Sequence, residues 1–176
     1  MLIRRERPDD HDEVAAVTGA AFALPAGSGP PVEVALIGAL RAEGSLLAAM
    51  TLVAVDPSDA GAQVIGQVTA SRGTIAGRPA VGLGPVAVRP DRQHGGVGSA
   101  LLHAVLGAAD ALGEPAVVLL GDQRWYARFG FRPASAVGVV SPDPAWGDHF
   151  QVRTLSAWTD ALAGPFRYAP AFDGLE

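Results

Sequence analysis

Three glycines, Gly95, Gly96 and Gly98, fall within four residues of one another in the stretch 86–102, VAVRPDRQHGGVGSALL. An apolar run precedes them and an apolar helical pattern follows, so the cluster sits where a helix must begin. A helix N-terminus leaves several backbone N–H groups without partners and carries partial positive charge. An anion seated there satisfies both. Close approach of a phosphate demands residues without side chains in the way, and a tight turn can demand positive φ, which glycine adopts cheaply. One glycine is enough to turn a strand into a helix. Three clustered glycines favour an anion site.

What the chain lacks narrows the anion. All thirteen basic residues are arginine, so no lysine can serve a Walker-type phosphate loop or a Schiff base. A G-x-G-x-x-G count from Gly96 fails at Leu101, and EPAVVLL, residues 114–120, ends no second strand on an acidic residue, so a dinucleotide fold does not fit. Cysteine is absent, which excludes a disulfide scaffold, a thiolate metal site and a cysteine nucleophile. The four histidines stand at no metal-ligand spacing, and no metal is expected. A formal charge of −5 speaks against binding nucleic acid through its phosphates. With 49% apolar and 18% charged residues, the chain is a packed globular protein. Its length fits one domain over residues 1–176. The longest apolar run, 46–55, is interrupted by Thr51 and too short to span a bilayer, and MLIRRERPDD lacks the apolar core of a signal peptide. A soluble cytoplasmic protein with no membrane partner is the expectation.

The elements that must carry the glycine loop follow from periodicity and punctuation. Residues 2–5 predict a first strand. Asp9 or Asp10 can cap a helix running to about Phe22, with Val14, Val17 and Ala21 on one face. After the loop 23–31, ALPAGSGPP, Pro31 suits the first turn of a second helix through Val34, Leu36, Ile37 and Leu40, and Gly44 suits its end. Residues 46–55 predict a strand, 56–61 a turn and 64–72 the hairpin partner. A further strand is expected at 80–88 and a helix at 99–112, with Leu101, Leu102, Val105 and Leu106 at helical spacing. The continuous apolar run 116–120 reads as a strand covered on both faces. A short helix at 123–129 ends at Gly130, and residues 131–140 and 150–155 predict two last strands. The tail GPFRYAPAFDGLE carries three aromatics, so part of it is expected to pack.

The stretch VRPDRQHGGVGSALL resembles the acetyl-CoA signature of the GNAT-type N-acetyltransferases, Q/R-x-x-G-x-G/A, with Gln93, Gly96 and Gly98 at its fixed positions. LGPVAV, residues 83–88, resembles that family's fourth strand, and 99–112 its third helix. WYARFGFRPA, residues 125–134, resembles its Y-x-x-F-G-F segment, and the strand 116–120 separates the two motifs as the family requires. The resemblance covers residues 1–155, and the ending FRYAPAF resembles a bacterial subgroup of unassigned substrate. It implies an α/β (α+β) fold: a central mixed, mostly antiparallel, twisted sheet of about seven strands, flanked by about four helices and splayed between the fourth and fifth strands.

The resemblance also implies a chemistry. The pantetheine arm of the cosubstrate, acetyl-CoA, would lie in the splay and pair with backbone groups of Val86 and Val88. An N–H near Val86 or Ala87 would face the thioester oxygen, since Pro85 has none to offer. Gln93, His94, Gly95, Gly96, Val97, Gly98 and Ser99 would cradle the pyrophosphate. His94 and Gly95 stand where glycine followed by lysine or arginine is common, so a loop cation is missing. Tyr126 matches the tyrosine that protonates the departing thiolate in many members, while Trp125, Phe129 and Phe131 read as core. The base is left open among Glu33, Asp56, Asp122 and His149, and Gln67 and Thr69 are expected to line the acceptor site. The implied activity is transfer of an acetyl group to a primary amine of a small molecule or peptide by direct attack, without a metal. Homodimers are common in the family. The alternative is a sensor that binds an acyl-CoA on the same fold without turnover and has no need of Tyr126.

Overall fold

The computed structural model describes residues 1–23, 29–58 and 63–174; the expected loop at 23–31 and turn at 56–61 fall partly outside them. Four strands form an antiparallel meander: β1 (Leu2–Arg5), β2 (Leu52–Val55), β3 (Val64–Ile75) and β4 (Arg78–Val88). β5 (Ala116–Leu120) joins β4 in parallel. Later come β6 (Arg132–Pro133), β7 (Val139–Val140), β8 (Phe150–Thr154) and β9 (Gly164–Arg167). Seven strands run in the order β1-β2-β3-β4-β5-β8-β6, with β9 attached to β3 and β7 beside β9. Helices α1 (His11–Ala21) and α2 (Val32–Ala42) connect β1 to β2, α3 (Val97–Ala111) connects β4 to β5, and α4 (Gln123–Tyr126) is a single turn.

Helices cover both faces of the sheet, which is why its strands read as continuous apolar runs. Along β2 the side chains alternate: Leu52 and Ala54 join the cluster under α3, whereas Val53 and Val55 join Val14, Val17 and Ile37 of α1 and α2. β5 alternates likewise, Val117 and Leu119 meeting α3 while Ala116 and Val118 meet the aromatic cluster of Phe150 and Phe166. α3 reaches the sheet closely because β3 carries Gly66 there. A Cβ at that position would stand 2.9 Å from Val97 Cγ1 and 3.1 Å from Leu101 Cδ1.

The structure departs from the sequence-based expectations at three places. The run 46–55 is two pieces. Leu46 bridges Ser71, the chain turns with Met50 N–H donating to Leu47 O at 2.9 Å, and β2 begins only at Leu52. Met50, Thr51 and Leu52 are buried whereas Ala48 is exposed, and the turn 47–50, LAAM, holds none of the Gly, Pro, Asn or Asp that would mark it in the sequence. The expected strand 131–140 is also broken. β6 ends at Pro133, a 3₁₀ turn covers Ala134–Val137, and Gly138 (φ +73°) reverses the chain before β7. Asp10 does not cap α1 with its side chain. The Arg4 guanidinium, at 2.6 and 2.7 Å, and the Arg7 N–H, at 2.7 Å, take its carboxylate and hold it below the usual carboxylate range. The tail packs, as its aromatics lead one to expect: Phe166 is buried, and β9 pairs with Thr74 and Ile75 of β3. Among the described residues no helix is long and apolar enough to cross a membrane.

Candidate active site

β4 and β5 part company soon after they meet. They pair at Val81 with Val117 and at Gly82 with Val118, after which β4 continues to Val88 beside a gap. The gap opens at a bulge: Val68 and Ala70 of β3 oppose Val86 and Leu83 of β4, so β4 holds one residue more over the same span, at Gly84–Pro85. Gly-Pro inside an apolar strand is the sequence sign of such a bulge.

Backbone alternation then decides what faces the gap. Arg89 N–H donates to Ile65 O at 2.9 Å, so past the bulge the odd residues of β4 bond to β3 and the even ones turn away. Val86 and Val88 thus direct their peptide groups into the gap. Ala87 does not: its amide faces Gln67 of β3 and its side chain is buried under α1. Ala87 is therefore removed from the set expected to contact a cosubstrate. Gln93 donates from Nε2 to Val88 O at 3.1 Å, tying the following loop to the end of the strand.

The loop itself is bent for a helix start. His94 (φ +61°) and Gly96 (φ +85°) are left-handed, and Gly96 is the N-cap of α3 with no side chain capping it. The first amide to find a helical carbonyl is that of Ala100, donating to Gly96 O at 2.9 Å. The amides of Val97, Gly98 and Ser99 precede it and have no intrahelical acceptor. A Cβ on Gly96 would meet nothing within 4 Å, so the loop is open to a ligand there. Gly98 is tighter, since its Cβ would lie 3.4 Å from Trp125 Cζ2 and 3.6 Å from Val88 Cγ2. The side chain of Val97 is buried, and only its amide is on offer. This cradle fits an anion by its own geometry: positive φ, no intruding side chain, and orphan donors at a helix N-terminus.

Val86, Val88, Gln93, His94, Gly96, Gly98, Ser99 and Tyr126 all line one cleft of about 970 Å³; Gly95 and Val97 are not among its lining residues. Tyr126 sits half-buried with its ring on Gly121, just past β5, where any Cβ would overlap it. Trp125 meets it edge-on at 4.6 Å and Phe131 at 5.7 Å. Burial pushes its hydroxyl up to about 12. That hydroxyl has no hydrogen-bond partner among the described residues, which leaves it free for a ligand.

The other expected site residues divide. Glu33 and Asp122 line the cleft, although Asp122 spends one oxygen capping α4 through Arg124 N–H at 2.8 Å. Asp56 is taken by Ser58 and by Arg92 at 2.7 Å, which hold it far below the ordinary range and disqualify it as a base. His149 lies outside the cleft, its Nδ1 3.2 Å from Gly121 O. Gln67 and Thr69 do not line it either. Both are fully buried, Thr69 donating to Gln67 Oε1 at 3.0 Å and Gln67 donating to Thr18 Oγ1 at 3.2 Å and to Pro85 O at 3.3 Å. They brace the bulge from below. Among the described residues no three His, Cys, Asp or Glu gather as a metal site.

Arg128 and Tyr168 are among the cleft residues that escaped the sequence. Arg128, one turn past Trp125, lines the cleft with its guanidinium 5.6 Å from the Trp125 and Phe129 rings and supplies a cation that the loop lacks. Tyr168, from the tail, lays its ring on Gly82, whose Cβ would stand 3.2 Å from Tyr168 Cδ1. The sign of it was the tail's aromatic content alone, which tells that the tail packs but not where.

The comparisons with known proteins agree with this geometry. A family profile described as Acetyltransferase (GNAT) domain matches residues 47–133. The N-acetyltransferase YhbS of Escherichia coli K12 is 36% identical over 166 residues, covering 93% of this chain and 92% of its own. The crystal structure of Escherichia coli YhbS in complex with CoA superposes with a TM-score of 0.85 at 31% identity, over 99% of this chain and 93% of that one. A GNAT family acetyltransferase from Brucella melitensis in complex with acetyl-CoA gives 0.76 at 34% identity, over 98% and 97%. With the splayed β4 and β5, the glycine-led α3 and relatives matched along nearly their whole length, the chain belongs to the GNAT family of acetyltransferases.

Proposed function

We propose that this protein is an acetyl-CoA-dependent N-acetyltransferase that moves the acetyl group to a primary amine by direct attack. The observation that carries this is the meeting in one cleft of three orphan α3 amides, the gap-facing backbone of β4 and a tyrosine hydroxyl without a hydrogen-bond partner among the described residues. The CoA and acetyl-CoA complexes of the two similar structures support the choice of cosubstrate.

Each part has a task. The amides of Val97, Gly98 and Ser99, with the His94–Gly96 turn, hold the pyrophosphate, and Arg128 adds positive charge beside it. Val86 and Val88 offer strand-type partners to the pantetheine arm, and the Val86 N–H is placed to stabilise the oxyanion that forms on the thioester oxygen. A neutral amine attacks the carbonyl carbon, the C–S bond breaks, and the sulfur takes a proton from Tyr126. The amine's own proton passes to a base, directly or through water, because an aliphatic ammonium with a pKa of about 10 is not a nucleophile at neutral pH. The acceptor is a small-molecule or peptide amine, and the setting is the cytoplasm.

Calorimetry with acetyl-CoA, followed by thiol release across a panel of amines, tests the activity. Binding with amine-dependent release of CoA is the expected result. Binding without turnover on any amine would make the protein a sensor, and absence of binding would end the proposal.

A further inference from the structure

We infer that the acceptor is a primary amine on a flat apolar body, an arylalkylamine, with its ring against Tyr168 and Phe172 and its ammonium drawn to Glu33. The inference rests on the N-acetyltransferase reading of the same cleft. The cleft is polarised along its length. At the α3 end stand the orphan amides and Arg128, and the one carboxylate among the described residues there, Asp122, spends an oxygen on capping α4. Toward α2 the charged group is Glu33, a half-buried carboxylate without a hydrogen bond or ion pair among the described residues. Such a layout places an anion at one end and a cation at the other.

The cation's end is also aromatic. Tyr168 and Phe172 stack on each other, centroids 4.4 Å apart and planes inclined by 27°, and both line the cleft. Phe172 packs onto the cluster of Leu36 and Leu40, which fixes the pair on the α2 side. Tyr168 rests on Gly82, the last residue of β4 that pairs with β5. From Gly82 to Val88 the strand runs about 20 Å at the usual rise per residue, so the aromatic pair is remote from the pyrophosphate cradle. It lies beside the start of the splay, the region that Val86 adjoins. Leu36 and Pro85 complete the surface there. A polyamine or an amino sugar entering this half would shed water from several polar groups and find few partners. A ring with a single ammonium would lose little water and gain aromatic contact.

The test uses the full chain and begins with acetyl-CoA affinity by calorimetry. Thiol release is then compared for 2-phenylethylamine and tryptamine against putrescine and glucosamine. The arylalkylamines are expected to lead by tenfold or so in kcat/KM, the size of an aromatic contact plus avoided desolvation. Glu33→Gln should lower kcat/KM for them about tenfold, as loss of one partly solvated charged contact does, and Phe172→Ala by roughly threefold to tenfold. Both variants should keep acetyl-CoA affinity. Glu33 has no partner to lose among the described residues, so its substitution stays informative even if Phe172→Ala disturbs the tail, and a rise in KM with kcat kept separates an ammonium anchor from a base. Equal or better turnover of putrescine or glucosamine overturns the inference and leaves the acetyltransferase standing. So does an arylalkylamine preference that Glu33→Gln does not touch, or acetyl-CoA binding with no arylalkylamine turned over. Failure to bind acetyl-CoA at all removes both.

Discussion

Replacing Tyr126 with phenylalanine deletes one oxygen from the cleft and leaves the ring on Gly121 and against Trp125. Since the hydroxyl has no hydrogen-bond partner among the described residues, the fold should keep its melting temperature at neutral pH. With its pKa pushed up to about 12, only about 10⁻⁵ of the tyrosine is ionised at pH 7. The group therefore holds its proton there and can act only as an acid. Loss of a positioned general acid costs about 10²–10⁴-fold in rate. The leaving thiol, with a pKa of about 8.5, departs fairly well unaided, which puts the expectation at the lower end of that range. The sign of the pH dependence follows from burial. The protonated form is the working one, so a tyrosine at its ordinary value would lose half its effect at pH 10, whereas Tyr126 should retain it there and lose it only near pH 12. Stability runs in parallel. It is insensitive to this group below the unfolded value near 10 and falls between there and about 12 in the wild type but not in Tyr126→Phe. The assay is thiol release per folded molecule from pH 6 to 10, alongside acetyl-CoA calorimetry and thermal melts. A folded Tyr126→Phe protein with undiminished turnover would refute the acid role, and a wild-type rate that halves near pH 10 by a step absent from the variant would refute the raised pKa.

Gly96→Glu places bulk and negative charge at the open N-cap of α3. It should abolish acetyl-CoA binding in calorimetry with little change in melting temperature, because a Cβ there meets nothing within 4 Å, although the positive φ adds some strain. Gly98→Ala should be tolerated with small shifts, whereas Gly98→Val overpacks the contact with Trp125 and Val88 and should cost about 1–3 kcal/mol in denaturant unfolding as well as weakening acetyl-CoA. Gly121→Ala should act at a distance on the acid: its Cβ displaces the Tyr126 ring, so turnover should fall toward that of Tyr126→Phe while acetyl-CoA affinity holds. Gln93→Ala frees the Val88 carbonyl, and acetyl-CoA affinity should drop by roughly threefold to tenfold, the net worth of one exposed hydrogen bond.

The glycine turn that opens α3 was the most legible part of the chain because its requirements are local. Positive φ and absent side chains leave glycines in the sequence, and Gly96 stands at the N-cap of α3 as its neighbours suggest. Strand 116–120 and helix α3 were equally plain, one a run buried on both faces and the other a clear 3.6-residue period. What failed depended on pairings between distant segments. Nothing near Gln67 says that its amide will be buried under a bulge, since that depends on Thr18 forty-nine residues earlier and Pro85 eighteen later. Nothing near Tyr168 names Gly82 as its seat. Side-chain direction was hidden too: Val86, Ala87 and Val88 are alike in type, and only the register with β3 turns Ala87 away from the gap.

One edge of β3 is longer than any single neighbour can cover. β2 pairs with Val64–Val68, Leu46 and its flanks take the stretch around Ser71, and β9 reaches Thr74 and Ile75, with Pro165 O accepting from Ala76 N–H at 2.9 Å. Bare strand edges are templates for pairing with other molecules. The segment that lends Tyr168 to the cleft is thus also a guard on solubility. Cutting the chain after Leu162 would uncover Thr74 and Ile75 together with the apolar bed of Phe166, and its first visible effect should be concentration-dependent aggregation rather than a loss of cosubstrate affinity.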